Sequence, residues 1–72
     1  MSGLIKRSFS LAGHRTSVAL EEAFWSALTD IAGDRGQTLS ALVAMIDAER
    51  GPDQPLASSL RLEALAAFRR NG

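Results

Sequence analysis

The sequence predicts a mainly α-helical chain with one N-terminal strand that pairs across a dimer. Three observations carry that expectation. His14 to Leu20 alternates, with Thr16, Val18 and Leu20 on one face of an extended segment and Arg15, Ser17 and Ala19 on the other. Directly after it the apolar spacing changes to that of a helix and stays so. Glycine and proline then divide the helical part at Gly33–Gly36 and at Gly51–Pro55. A lone strand cannot satisfy its own backbone groups or bury its own apolar side. A second copy of the chain is therefore the expected source of the partner strand.

Length and composition narrow the function classes. With 72 residues the chain holds one domain at most, and its core is small. It has no cysteine and one histidine, so neither a disulfide nor a metal-site spacing is available, and no metal or cofactor is expected. Oligomerisation is the remaining route to a larger core. The absence of cysteine fits a reducing compartment, and the expected location is cytoplasmic. No apolar run is long enough to span a bilayer, and Met1 to Leu11 lacks the apolar stretch of a secretory signal.

The net charge is zero, but it is unevenly spread. Residues 1–20 carry Lys6, Arg7 and Arg15 and no acid, whereas residues 21–35 carry Glu21, Glu22, Asp30 and Asp34 against Arg35. A symmetric dimer doubles that asymmetry.

In chain order, residues 1–13 read as an N-terminal arm. Phe9 and Leu11 alternate with Ser8 and Ser10, so Arg7 to Ala12 is a candidate extended piece ended by Gly13. Residues 14–50 form the core unit of strand and two helices. The first helix runs from Glu21 to Ala32, with two acids at the positive end of its dipole. Phe24, Ala27, Leu28 and Ile31 make its core stripe, and Trp25 sits beside that stripe. Thr38 caps a second helix that reaches about Arg50, with Leu39, Leu42, Val43 and Ile46 facing inward. Gly51-Pro52 stops it, because proline cannot continue a helix. Residues 51–72 supply a turn and a third helix, Leu56 to Arg70, with Leu60, Leu65 and Phe68, and also Leu62, as buried positions.

This order of strand, helix, glycine turn and Thr-capped helix resembles the ribbon-helix-helix superfamily of the Arc and methionine repressors. The resemblance covers His14 to Arg50 and includes the turn Arg-Gly-Gln-Thr-Leu-Ser-Ala-Leu-Val. The fuller string Arg-Ser-Phe-Ser-Leu-Ala-Gly-His-Arg-Thr-Ser-Val-Ala-Leu-Glu, then Phe-Trp, then Met-Ile-Asp, is similar to a small ribbon-helix-helix family found mostly in alphaproteobacteria. That family also carries a third helix. The resemblance implies a homodimeric DNA-binding regulator whose ribbon enters the major groove. It places Arg15, Ser17 and Ala19 at the base-reading positions, and Thr38 with the amides of Leu39 and Ser40 at the phosphate clamp. Ala19 lacks a hydrogen-bonding group, and Thr16 stands where the superfamily has a larger apolar residue.

The chemistry of these residues fits the role. A two-stranded ribbon fits the major groove; arginine can fork to guanine, serine can donate or accept, and a methyl can meet thymine. The amides and dipole at a helix N-terminus attract phosphate. Lys6 and Arg7 on the arm are candidates for flanking phosphates. The same small polar residues suit a solvated strand face, and every helix has an N-terminus. His14 beside a glycine reads as a strand-start residue, or as a pH-sensitive phosphate contact. Phe24 and Trp25 read as core rather than as a stacking platform.

No catalytic set stands out, so no enzymatic activity is expected. Glu21 and Glu22 are adjacent and point about 100° apart on a helix, and His14 has no orienting acid near it in the sequence. Two other classes remain open. One is a protein-interaction or antitoxin-like dimerisation module that docks a partner through the C-terminal helix. The other is a sensor that binds an anionic nucleotide on the basic ribbon face.

Overall fold

The computed structural model describes residues 3–71. Two strands, β1 (Leu4–Leu11) and β2 (His14–Glu21), precede three helices, α1 (Glu22–Asp34), α2 (Leu39–Glu49) and α3 (Leu56–Asn71). The strands form a two-stranded antiparallel hairpin. The hairpin and the three helices close over one apolar cluster that includes Phe9, Val18, Leu20, Trp25, Leu28, Leu42, Val43 and Leu60.

The second strand corrects the one-strand expectation. β2 finds its partner in the same chain: Ile5 lies opposite Leu20, Arg7 opposite Val18, Phe9 opposite Thr16 and Leu11 opposite His14. The turn is Ala12-Gly13, and both residues have positive φ, 51° and 83°. Two left-handed residues are what a two-residue hairpin turn needs to match the strand twist. β2 is thus paired along one of its edges within the chain, by β1. β1 is hard to see in the sequence because its first half does not alternate: Leu4 and Ile5 are adjacent apolar residues, and Lys6 and Arg7 adjacent cations.

The helix ends follow their sequence signals. Gly36, at φ 69°, closes α1. Its amide donates to the Gly33 carbonyl and that of Gln37 to the Ala32 carbonyl, which satisfies two of the orphan carbonyls of the last turn. The Thr38 hydroxyl accepts from the Ala41 amide at 3.0 Å and caps α2. At the other end of α2, Arg50 donates to Asp47 at 2.8 Å and to the Gln54 carbonyl at 2.7 Å, which folds the linker back onto the helix.

One expectation about burial is overturned, and one is sharpened. On α3 the buried residues are Leu56, Ser59, Leu60, Ala64 and Ala67, while Leu62, Leu65 and Phe68 are exposed. α3 packs on α1, α2 and β2, and its small Ala64 and Ala67 face inward. Small residues permit close helix approach, so the large ones turn outward. Trp25, beside the predicted stripe, lies at the centre of the core at 1% exposure. Its indole N–H donates to the Ile5 carbonyl at 2.8 Å and so ties β1 onto α1.

Candidate nucleic-acid interface

Strand alternation and pairing divide the hairpin into two faces. The inner face carries Phe9, Leu11, Val18 and Leu20, all buried. The outer face ends in the pair Leu4 and Glu21; inside that pair it carries Lys6, Ser8 and Ser10 from β1, and Arg15, Ser17 and Ala19 from β2. The cross-strand pairs there are Lys6 with Ala19, Ser8 with Ser17, and Ser10 with Arg15. Two side-chain bonds bear out the shared face. Ser8 and Ser17 hydroxyls lie 3.0 Å apart, and Arg15 Nη1 donates to Ser10 Oγ at 3.2 Å. Five of these six side chains are exposed and Ala19 is half-buried. The surface is shallow, polar and cationic, with no acid between Lys6 and Ala19 on it.

Arg15, Ser17 and Ala19 therefore share the outward face, as the sequence alternation predicts. Lys6 joins them. Arg7 does not: as the next residue on the strand it belongs to the inner face, where its guanidinium lies 5.5 Å from the Trp25 ring centroid. Sequence reasoning misses Ser8 and Ser10 as site residues, because their segment reads as an arm. The Ser-Phe-Ser-Leu alternation followed by Ala-Gly is the available signal.

Thr38, Leu39 and Ser40 begin α2 at the glycine turn; Thr38 and Ser40 are exposed and Leu39 is half-buried. The Thr38 hydroxyl is engaged with Ala41, whereas helix geometry leaves the Leu39 and Ser40 amides without intrahelical acceptors. They can meet an anion as backbone donors. His14 is exposed at the start of β2 opposite Leu11.

At the far end of the hairpin, Glu21 accepts from Arg61 Nε at 3.1 Å and Nη2 at 2.9 Å. The Glu21 carboxyl is held below its ordinary value of 4.5, first by its own backbone amide and then by the Arg61 hydrogen bond. Arg61 also lies over the Phe24 ring, 5.6 Å from its centroid. One guanidinium thus links the hairpin to α1 and α3.

Among the described residues no helix is long and apolar enough to cross a membrane. None of them group as three or more histidines and acids placed to hold a metal ion.

A family model described as a ribbon-helix-helix domain matches residues 4–68. No curated protein matches the chain. Among solved structures, it is similar to an uncharacterized protein from Bordetella pertussis Tohama I, with a TM-score of 0.84 and 33% identity over 92% of this chain and 56% of that one. The chain thus spans little more than half the length of that protein. The family match covers the hairpin, both central helices and most of α3, and the chain belongs to the ribbon-helix-helix domain family.

Proposed function

We propose that the chain is a DNA-binding transcriptional regulator that presents the outer face of its hairpin to the major groove. The observation that carries this reading is the composition of that face: Arg15 and Lys6 with three serines and one methyl, on a ribbon of two strands. Such a ribbon has the width the major groove admits. Arg15 and Ser17 meet base edges, and Ala19 offers a methyl contact. Lys6 meets phosphate, as do the amides of Leu39 and Ser40 beside Thr38. Arg7 stays on Trp25 and stiffens the strand that carries Lys6.

A homodimer belongs to the same reading. The hairpin pairs one edge of β2 within the chain, and the apolar surface of α3, where Phe68 is 73% exposed, is a further support for a second copy. That surface also favours a second reading, a protein-interaction module that docks a partner through α3.

Selection of bound sequences from random duplex DNA, at two salt concentrations, separates these readings. A groove-reading ribbon gives an enriched element and an affinity that falls steeply with salt, because each neutralised phosphate releases counterions. A flat enrichment profile with salt-insensitive partner binding transfers the function to α3.

A further inference from the structure

α1 and α3 run side by side in the same sense. Glu21, just before α1, bonds Arg61, and Asp34, at the end of α1, shares a hollow with Ala67 and Phe68. An open apolar groove lies between the helices, lined by Phe24, Ala27 and Ala64, with Leu65 and Phe68 on its α3 side. Each helix carries a stripe beside that groove. On α1 it is Ala23, Ala27, Asp30 and Asp34; on α3 it is Leu62, Leu65 and Arg69, with Phe68 and Arg70 next to the last. Both stripes are apolar first and charged last, and their charges have opposite sign. Asp30, Asp34, Arg69 and Arg70 are all exposed. The ion pairs among the described residues join Arg35 to Glu63, Arg50 to Asp47 and Arg61 to Glu21, and engage none of these four.

We propose, resting on the homodimer reading above, that this α1–α3 face receives the same face of a second copy. A closed contact between two identical chains is two-fold, so each patch meets its mate twice. A two-fold axis along the helices sets α1 of one copy on α3 of the other and keeps their ends together. Ala23 and Ala27 then give room to Leu65 and Phe68, and Asp30 and Asp34 meet Arg69 and Arg70. An axis across the helices sets α1 on α1 and α3 on α3, acid on acid and arginine on arginine, and is disfavoured. The charges thus choose the symmetry, while the apolar side chains between them leave water. The face uses no hairpin residue, so the second edge of β2 stays free for another contact.

The test is sedimentation velocity of the full chain over a range of concentrations at low salt, folding being checked by circular dichroism. One double variant reverses the α1 rim (Asp30→Arg with Asp34→Arg); another reverses the α3 end (Arg69→Asp with Arg70→Asp). Each alone brings like charges together across the contact and is expected to weaken one association step by roughly tenfold. An equal mixture of the two is expected to restore that step, because every charge then meets its opposite in the mixed pair. Phe68→Ser adds no charge and is expected to lose the same step. If the wild type self-associates and neither the reversals nor Phe68→Ser alter it, this proposal fails and the homodimer reading stands on another surface. If the reversals weaken association but the mixture does not restore it, the assigned symmetry is wrong and the proposal also fails. A wild type that stays monomeric throughout overturns both.

Discussion

The hairpin and α3 are both amphipathic elements laid on the same core, yet their outer surfaces are opposites. The hairpin buries Phe9, Leu11, Val18 and Leu20 and shows serines and three cations to solvent, with Leu4 and Ile5 exposed only at its open end. α3 buries Leu56, Leu60 and two alanines and shows Leu62, Leu65 and Phe68. Hydrophobicity alone would not sort α3 this way. Its inward face is chosen by how closely it approaches α1, and small residues win that position. Of the large residues left outside, Leu65 and Phe68 flank Phe24 and Ala27 in an apolar groove of about 210 Å³. The difference assigns separate work to the two regions: the hairpin is suited to a polar, charged partner and α3 to an apolar one.

The largest effect that would sharpen this comparison is at Leu20, fully buried under the hairpin. Leu20→Ala removes side-chain volume from the centre of the core and is expected to cost about 2–5 kcal/mol. For a domain whose total stability is on the order of 5 kcal/mol, that removes from under half to nearly all of it, as a lowered midpoint in chemical denaturation followed by circular dichroism would show. A cooperative unfolding curve close to wild type would mean that the hairpin is not part of the core.

Phe68 offers the contrast. At 73% exposure, Phe68→Ser should change the stability of the isolated chain by no more than about 0.5 kcal/mol. Sedimentation equilibrium should show the change instead, with weaker self-association if a second copy covers α3. A destabilisation as large as that of Leu20→Ala would place Phe68 in the core and erase the distinction drawn above.

The smallest effect concerns the Glu21–Arg61 pair that joins the two regions. Because the Glu21 carboxyl is depressed in the folded chain, its contribution is fully present above the ordinary value of 4.5 and is lost as pH falls through the lower folded value. The pair is partly solvent-exposed, so screening keeps the change small. Melting temperatures of wild type and Glu21→Gln should differ slightly at neutral pH and converge below pH 4.5. A difference that grows on acidification would reverse the assigned sign.

Much of this molecule is written locally. α1 ends at a glycine, α2 begins at a threonine and stops before Gly51-Pro52, and α3 begins after Pro55, because caps and breakers act on the backbone within one turn of themselves. Alternation likewise puts Arg15, Ser17 and Ala19 on one face, since side-chain direction in a strand depends only on parity. Nothing local says which chain provides the partner strand. A strand edge presents the same amides and carbonyls to any neighbour, so only the path of the chain through Ala12-Gly13 brings β1 to one edge of β2. The separation of Lys6 from Arg7 follows from that pairing. Likewise, Trp25 is central and Phe68 peripheral only once the distance between α1 and α3 is set. Burial is a property of what packs opposite, and no single segment carries that information in its own residues.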